Sequence, residues 1–225
     1  MNDHLDRITN LSKSYPIGVG VGSNSIVYLK QVYALLASSL LVSVAAGYVG
    51  MRSPIAYEHP ILLFILELGA LFLAFRMKNT ATLFLFTALS GFTLGPLIGL
   101  YIGAGLSGVV GQAVFLTGVS FVGLSFYALT THRDLSMMGG MLFAGLIIVL
   151  AGSVLNLFIQ SSGVAFAVSA IGSVIFSGFI LWETQSLKAN PWAVAPSVAA
   201  LSMYLNVINL FVSLLRLLGM LGGDE

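Results

Sequence analysis

"MYLNVINLFVSLLRLLG", residues 203–219, is long and apolar enough for a membrane helix, yet it carries Asn206, Asn209 and Arg216. Taking Asn206 as 0° and about 100° per residue, Ser202, Asn209, Ser213 and Arg216 fall at roughly −40°, −60°, −20° and −80°. The strongly polar groups therefore share one stripe, and Leu210, Leu214 and Leu217 lie away from it. A polar stripe on an apolar helix places that stripe against protein or water and the remaining surface against lipid. The segment reads as a helix of a membrane bundle whose polar face is turned toward protein or water.

Composition points the same way. The chain has 225 residues, is 58% hydrophobic and only 8% charged, where a soluble domain carries roughly 25% charge. Mean hydropathy is +1.01. A net charge of +1 gives no bulk attraction to nucleic acid. With no cysteines, disulfides, thiolate metal sites and cysteine nucleophiles are all excluded. His4, His59 and His132 lie in separate polar segments and show no metal-ligand spacing.

Apolar stretches of spanning length fall at about residues 31–50, 60–77, 81–102, 107–130, 138–160, 163–187 and 193–219. These predict a seven-transmembrane-helix bundle, an all-α integral membrane domain over residues 30–225 with a polar-faced last helix. Residues 1–29 read as a flexible cytoplasmic tail. Asp3 and Asp6 beside Arg7, and an apolar run that starts only after Lys30, do not fit a cleaved leader. "GVGVG" at 18–22 follows no apolar strand and precedes no Lys-Ser/Thr, so it reads as tail and not as a phosphate loop. Arg7, Lys13, Lys30, Arg76, Lys78, Arg133 and Lys188 fall on the N-terminal side of the spans, against Arg52 and Arg216 on the other. The positive-inside rule then puts the N-terminus in the cytoplasm and the C-terminus outside.

Four glycines in the third span, Gly91, Gly95, Gly99 and Gly103, recur every fourth residue. One glycine edge lets a second helix backbone come close, and Pro96 within it predicts a bend. A packing seam is the expectation; a gating hinge is the alternative.

Ionisable residues inside the spans carry the functional question. Glu67 stands midway along the second span and Glu183 near the end of the sixth. A charge at mid-bilayer costs at least about 2.5–3.5 kcal/mol, so Glu67 pairs, faces water or takes up a proton. Glu183, roughly 6 Å from its helix end at 1.5 Å per residue, either snorkels to the interface beside Trp182 or has a functional role. Arg76 and Lys78 end the second span on the same side as Glu183, which leaves an ion pair open. Asn206, Asn209 and Arg216 with two serines on one face predict a hydrated cavity. Asn156 lies near the outer end of the fifth span. Intramembrane serine proteolysis needs a serine–histidine pair within the spans, and aspartyl proteolysis needs two aspartates there. Neither is present, and the last span has no lysine for a retinal Schiff base. The chemistry left is proton and ion handling, or none, and enzymatic turnover is not expected.

"HRDLSMMGGMLFAGL" at 132–146, "LWETQSLK" at 181–188, "LSMYLNVINLFVSLLRLLG" at 201–219 and "GFTLGPLIGLY" at 91–101 together resemble the Bax inhibitor-1 family (transmembrane Bax inhibitor motif proteins), in particular its bacterial YccA-like branch. The resemblance runs from about Lys30 to the C-terminus. It implies seven helices around the last one and a place in the bacterial inner membrane. It also implies a pH-sensitive calcium leak, with calcium as the transported ion, sensed by two acids on the sixth and last helices near an arginine that ends the second. On that pattern Glu183 is the sixth-helix acid and a weak calcium candidate, Asn206 replaces the second acid, and Lys78, with Arg76 before it, takes the arginine's place. Glu67 matches an acid on the second helix of some members. A carboxylate beside a carboxamide lacks the mutual repulsion of two acids that share a proton. The same branch implies a second function, modulation of a membrane-anchored ATP-dependent (AAA) protease, to which the N-terminal tail is suited.

Overall fold

The computed structural model describes residues 21–222. Seven long helices, each apolar enough to cross a membrane, run as α1 (Val21–Gly50), α2 (Pro60–Met77), α3 (Thr80–Gly103), α4 (Ser107–Thr130), α5 (Met138–Ile159), α6 (Ser162–Ala189) and α7 (Pro196–Gly222). A short helical turn, Pro54–Glu58, joins α1 to α2. The α2–α3, α4–α5 and α6–α7 connections share one face of the bundle, the Lys/Arg-rich face, with Lys78, Arg133 and Lys188.

Local signals set the helix ends. Pro60 and Pro196 open α2 and α7 at first-turn positions, where a missing N–H costs nothing. Asn79 caps α3 by accepting from the Thr82 N–H at 2.9 Å. Lys78 closes α2 in the left-handed region, φ 53°, and its carbonyl accepts from the Ser197 hydroxyl at 2.7 Å, which ties the α2–α3 corner to the start of α7.

α1 starts ten residues before the apolar run that predicted it, so residues 21–29, expected as tail, are helical. Residues 1–20 lie outside the described ones. Tertiary docking accounts for the extension. Tyr28 is fully buried, packs against Trp192 at 5.0 Å between ring centroids and donates its hydroxyl to the Val194 carbonyl at 3.2 Å. The α6–α7 connection thus covers a stretch whose own hydropathy does not mark it.

α7 is the hub. Over its most apolar stretch 61% of residues are buried, against 11–33% in the other spans, and it packs on α1, α2, α3, α4 and α6. α5 leans on α6 and leaves clefts between itself and α7, lined by residues of α5, α6 and α7.

The closest approach is between α1 and α3. A Cβ on Gly91 would lie 2.1 Å from the Ser43 carbonyl oxygen, and one on Gly95 would lie 2.4 Å from the Met51 nitrogen. Only glycine fits such backbone contact. Pro96 has no N–H to return to the Phe92 carbonyl, and the same carbonyl lies against Gly50 of α1. The seam ends where α1 ends: Gly99 faces the Tyr57 and Met51 side chains, and nothing stands within 4 Å of a Cβ on Gly103. The fourth glycine is therefore not part of the seam.

Candidate functional site

The polar stripe of α7 divides along its length. Toward the Lys/Arg-rich face, the Asn206 amide Nδ2 donates to Glu183 Oε2 of α6 at 2.6 Å. Both residues are buried, at 9% and 8% exposure. The Ser202 hydroxyl also engages the carboxylate. Phe143, Phe179 and Trp182 close a cleft of about 260 Å³ over these groups, with Asn209 at its far side. Glu183 does not snorkel to the interface; it is turned inward onto the last helix. In a bilayer, an interhelical hydrogen bond averages about 0.6 kcal/mol, and an ionised acceptor makes it stronger.

Arg76 and Lys78 are exposed, and neither is among the groups that interact with Glu183. What Lys78 brings to the interior is its backbone carbonyl, not its ammonium group.

In the other half, Glu67 is half-buried and accepts from the Thr93 hydroxyl of α3 at 2.7 Å. It shares a cavity of about 430 Å³ with Ser90, Thr93, Asn209 and Arg216. No ion pair joins Glu67 to Arg216 among the described residues. Asn209, whose Nδ2 donates to the Leu205 carbonyl at 2.8 Å, lines both this cavity and the Glu183 cleft. It is the one polar side chain common to the two. Ser213 is buried against Gly172 of α6.

Three partners escape a reading of single segments. Thr93 sits inside a glycine-rich stretch that advertises packing and not bonding. The Tyr204 hydroxyl donates to Ser43 Oγ at 2.7 Å across 161 residues of sequence. Gln185, two residues beyond Glu183, clamps the α4–α5 loop: its Oε1 accepts from the Leu135 N–H at 2.8 Å, and its Nε2 donates to the Arg133 carbonyl at 2.7 Å. The end of α6 that carries Glu183 is thereby fastened to the loop bearing "HRDLS".

Among the described residues no three His, Asp or Glu side chains converge. Glu183 offers a single carboxylate, where calcium takes six to eight oxygen ligands. The donor set does not fit a resident calcium ion.

A family model described as the inhibitor of apoptosis-promoting Bax1 matches residues 26–223, nearly all of the described bundle. The chain belongs to the Bax inhibitor-1 family. It is 39% identical to a protein of Campylobacter jejuni over 85% of this chain and 87% of the relative. It is 37% identical to a membrane protein of Vibrio cholerae over 88% and 91% of the two chains. It is also 34% identical, over 87% and 91%, to the Escherichia coli protein called modulator of FtsH protease YccA, which in another strain of that species is called an inner membrane protein. The match spans all four sequence motifs that carry the resemblance. The Glu183–Asn206 bond joins two of those motifs.

Proposed function

We propose that this Bax inhibitor-1 family protein is a proton-responsive cation leak of the bacterial inner membrane, N-terminus in the cytoplasm, with Glu183 as its titrating group. The observation that carries this reading is the buried Glu183–Asn206 bond beside a polar cavity on the other side of Asn209. An ionised Glu183 accepts from the Asn206 amide; a protonated one donates to its carbonyl. Protonation thus reverses the bond without removing it. One carboxylate titrates as one group, so the response to pH is shallow, and calcium, with a single carboxylate to meet it, passes slowly.

Purified protein in liposomes loaded with a calcium dye and stepped between acid and neutral pH tests this. Asn206→Asp places two acids side by side, which cannot both ionise cheaply, and is expected to steepen the pH dependence. Glu183→Gln is expected to abolish it. Flux in the parent that Glu183→Gln leaves unchanged overturns the assignment of that residue.

A second reading is favoured by a specific observation, the name of the E. coli relative. The protein then binds a membrane-anchored AAA protease as its modulator, and the polar stripe holds the bundle together. Deleting residues 2–20 leaves every described helix intact and should lengthen the protein's half-life in cells with an active protease. Absence of flux in the parent and both variants favours this second reading over the first.

A further inference from the structure

Arg216 has work that neither reading gives it. It stands six residues before the end of α7 at Gly222, about 9 Å along the helix, and it has no hydrogen-bond or ion-pair partner among the described residues. Besides the Glu67 cavity, Arg216 borders a cleft of about 260 Å³ between α5, α6 and α7, lined also by Ser153, Asn156 and Ser169.

The polar groups of this cleft are matched to a negative ligand. Asn156 Oδ1 already accepts from the Ser161 N–H at 3.0 Å, which leaves the Asn156 amide as the free end, a pair of donors. Ser169 is buried at 4% exposure and its hydroxyl has no partner among the described residues. No acid lines the cleft. An arginine within a spanning segment is costly unless it finds a partner or reaches the interface. A guanidinium fork relieves that cost best with the oxygens of a phosphate.

We propose that this cleft is a phosphate-binding site, with the Arg216 guanidinium supplying the charge and Asn156 and Ser169 the neutral donors. The site lies within reach of the headgroup layer, because an arginine extends several ångströms toward the interface from its backbone position. The phosphate comes from a phospholipid headgroup or from solution; the chemistry is the same. The site is separate from the Glu183 cleft, so the proposal stands whether or not the protein conducts.

Two measurements on the full chain in detergent test it. Native mass spectrometry reads the phosphatidylglycerol retained through purification. Thermal melting reads the stabilisation by inorganic phosphate over chloride at equal ionic strength. A charge-assisted contact of about 1.5–3 kcal/mol corresponds to a tenfold or greater loss of binding in Arg216→Gln. Asn156→Leu and Ser169→Ala should each lose severalfold, and Arg216→Lys should retain part. Loss of lipid retention in these variants identifies a headgroup; loss confined to the inorganic phosphate shift identifies a free anion. Either supports the site. Asn156→Leu and Ser169→Ala carry the test if Arg216→Gln does not fold. Binding equal in parent and variants overturns the proposal, as does an equal loss in Glu67→Gln, since Glu67 lies outside this cleft and removing a carboxylate should not weaken anion binding.

Discussion

At the scale of single residues, the interior is built from neutral partners placed against carboxyl groups. Glu183 meets an amide and a hydroxyl, and Glu67 meets a hydroxyl. Such pairing satisfies lone pairs in either protonation state, whereas a salt bridge would fix one. Outside the membrane the opposite device operates. Asp134 of the α4–α5 loop is fully exposed, and its Oδ1 accepts from the Ser136 N–H at 2.9 Å. That bond favours the charged form and holds the carboxyl below its ordinary value. A depressed folded-state pKa contributes fully above the unfolded value of about 3.9 and is lost as pH falls below it. Titration of a 15N-labelled sample should therefore move the Ser136 amide resonance with a midpoint below the usual aspartate range. Asp134→Asn should show no such inflection. A midpoint at or above the ordinary value would mean that the turn does not hold the carboxylate in its charged form.

Among the elements, the α1–α3 seam bears most directly on stability. A Leu at position 95 drives its side chain into the backbone of α1, which cannot move without opening the bundle. Overpacking of side chains costs about 1–3 kcal/mol, and contact with rigid backbone belongs at or above the upper end. Gly95→Leu is expected to lose about 3 kcal/mol or more, read as lost folded yield, and Gly103→Leu to melt like the parent. Equal melting of both would remove the seam from the account. The glycine spacing made this edge legible, because a period of four places residues on one helix face whatever the partner. It did not show where the edge stops, since that depends on where α1 ends at Gly50. The seven spans were legible from hydropathy alone, and the α7 stripe from its phase. The start of α1 was not, because Tyr28 is buried by Trp192 and Val194 from the far end of the chain. Glu183 was legible as an ionisable group in a span. Its turn toward Asn206, and the absence of Arg76 and Lys78 from its surroundings, follow from helix rotation and from a left-handed cap that points the Lys78 carbonyl inward. Neither has a one-dimensional signature.

For the whole molecule, the proposed mechanism depends on which half faces which compartment. The Glu183 cleft lies toward the Lys/Arg-rich face, and the Glu67 and Arg216 cavities lie toward the other. With cationic loops kept inside, the proposed sensor Glu183 would meet cytoplasmic pH and the proposed phosphate site the periplasmic leaflet. With the bundle reversed, both assignments exchange. The chain contains no cysteine, so single introduced thiols report orientation without background. Ser136 in the α4–α5 loop and Ser107 at the start of α4 are both exposed and lie at opposite ends of the bundle. In intact cells whose outer membrane is made permeable, a membrane-impermeant maleimide should label Ser107→Cys and spare Ser136→Cys. Lysis should then expose Ser136→Cys. The reverse pattern would turn the bundle over and make Glu183 a sensor of the outside, while equal labelling of both in intact cells would require a mixed topology that seven positive charges against two oppose.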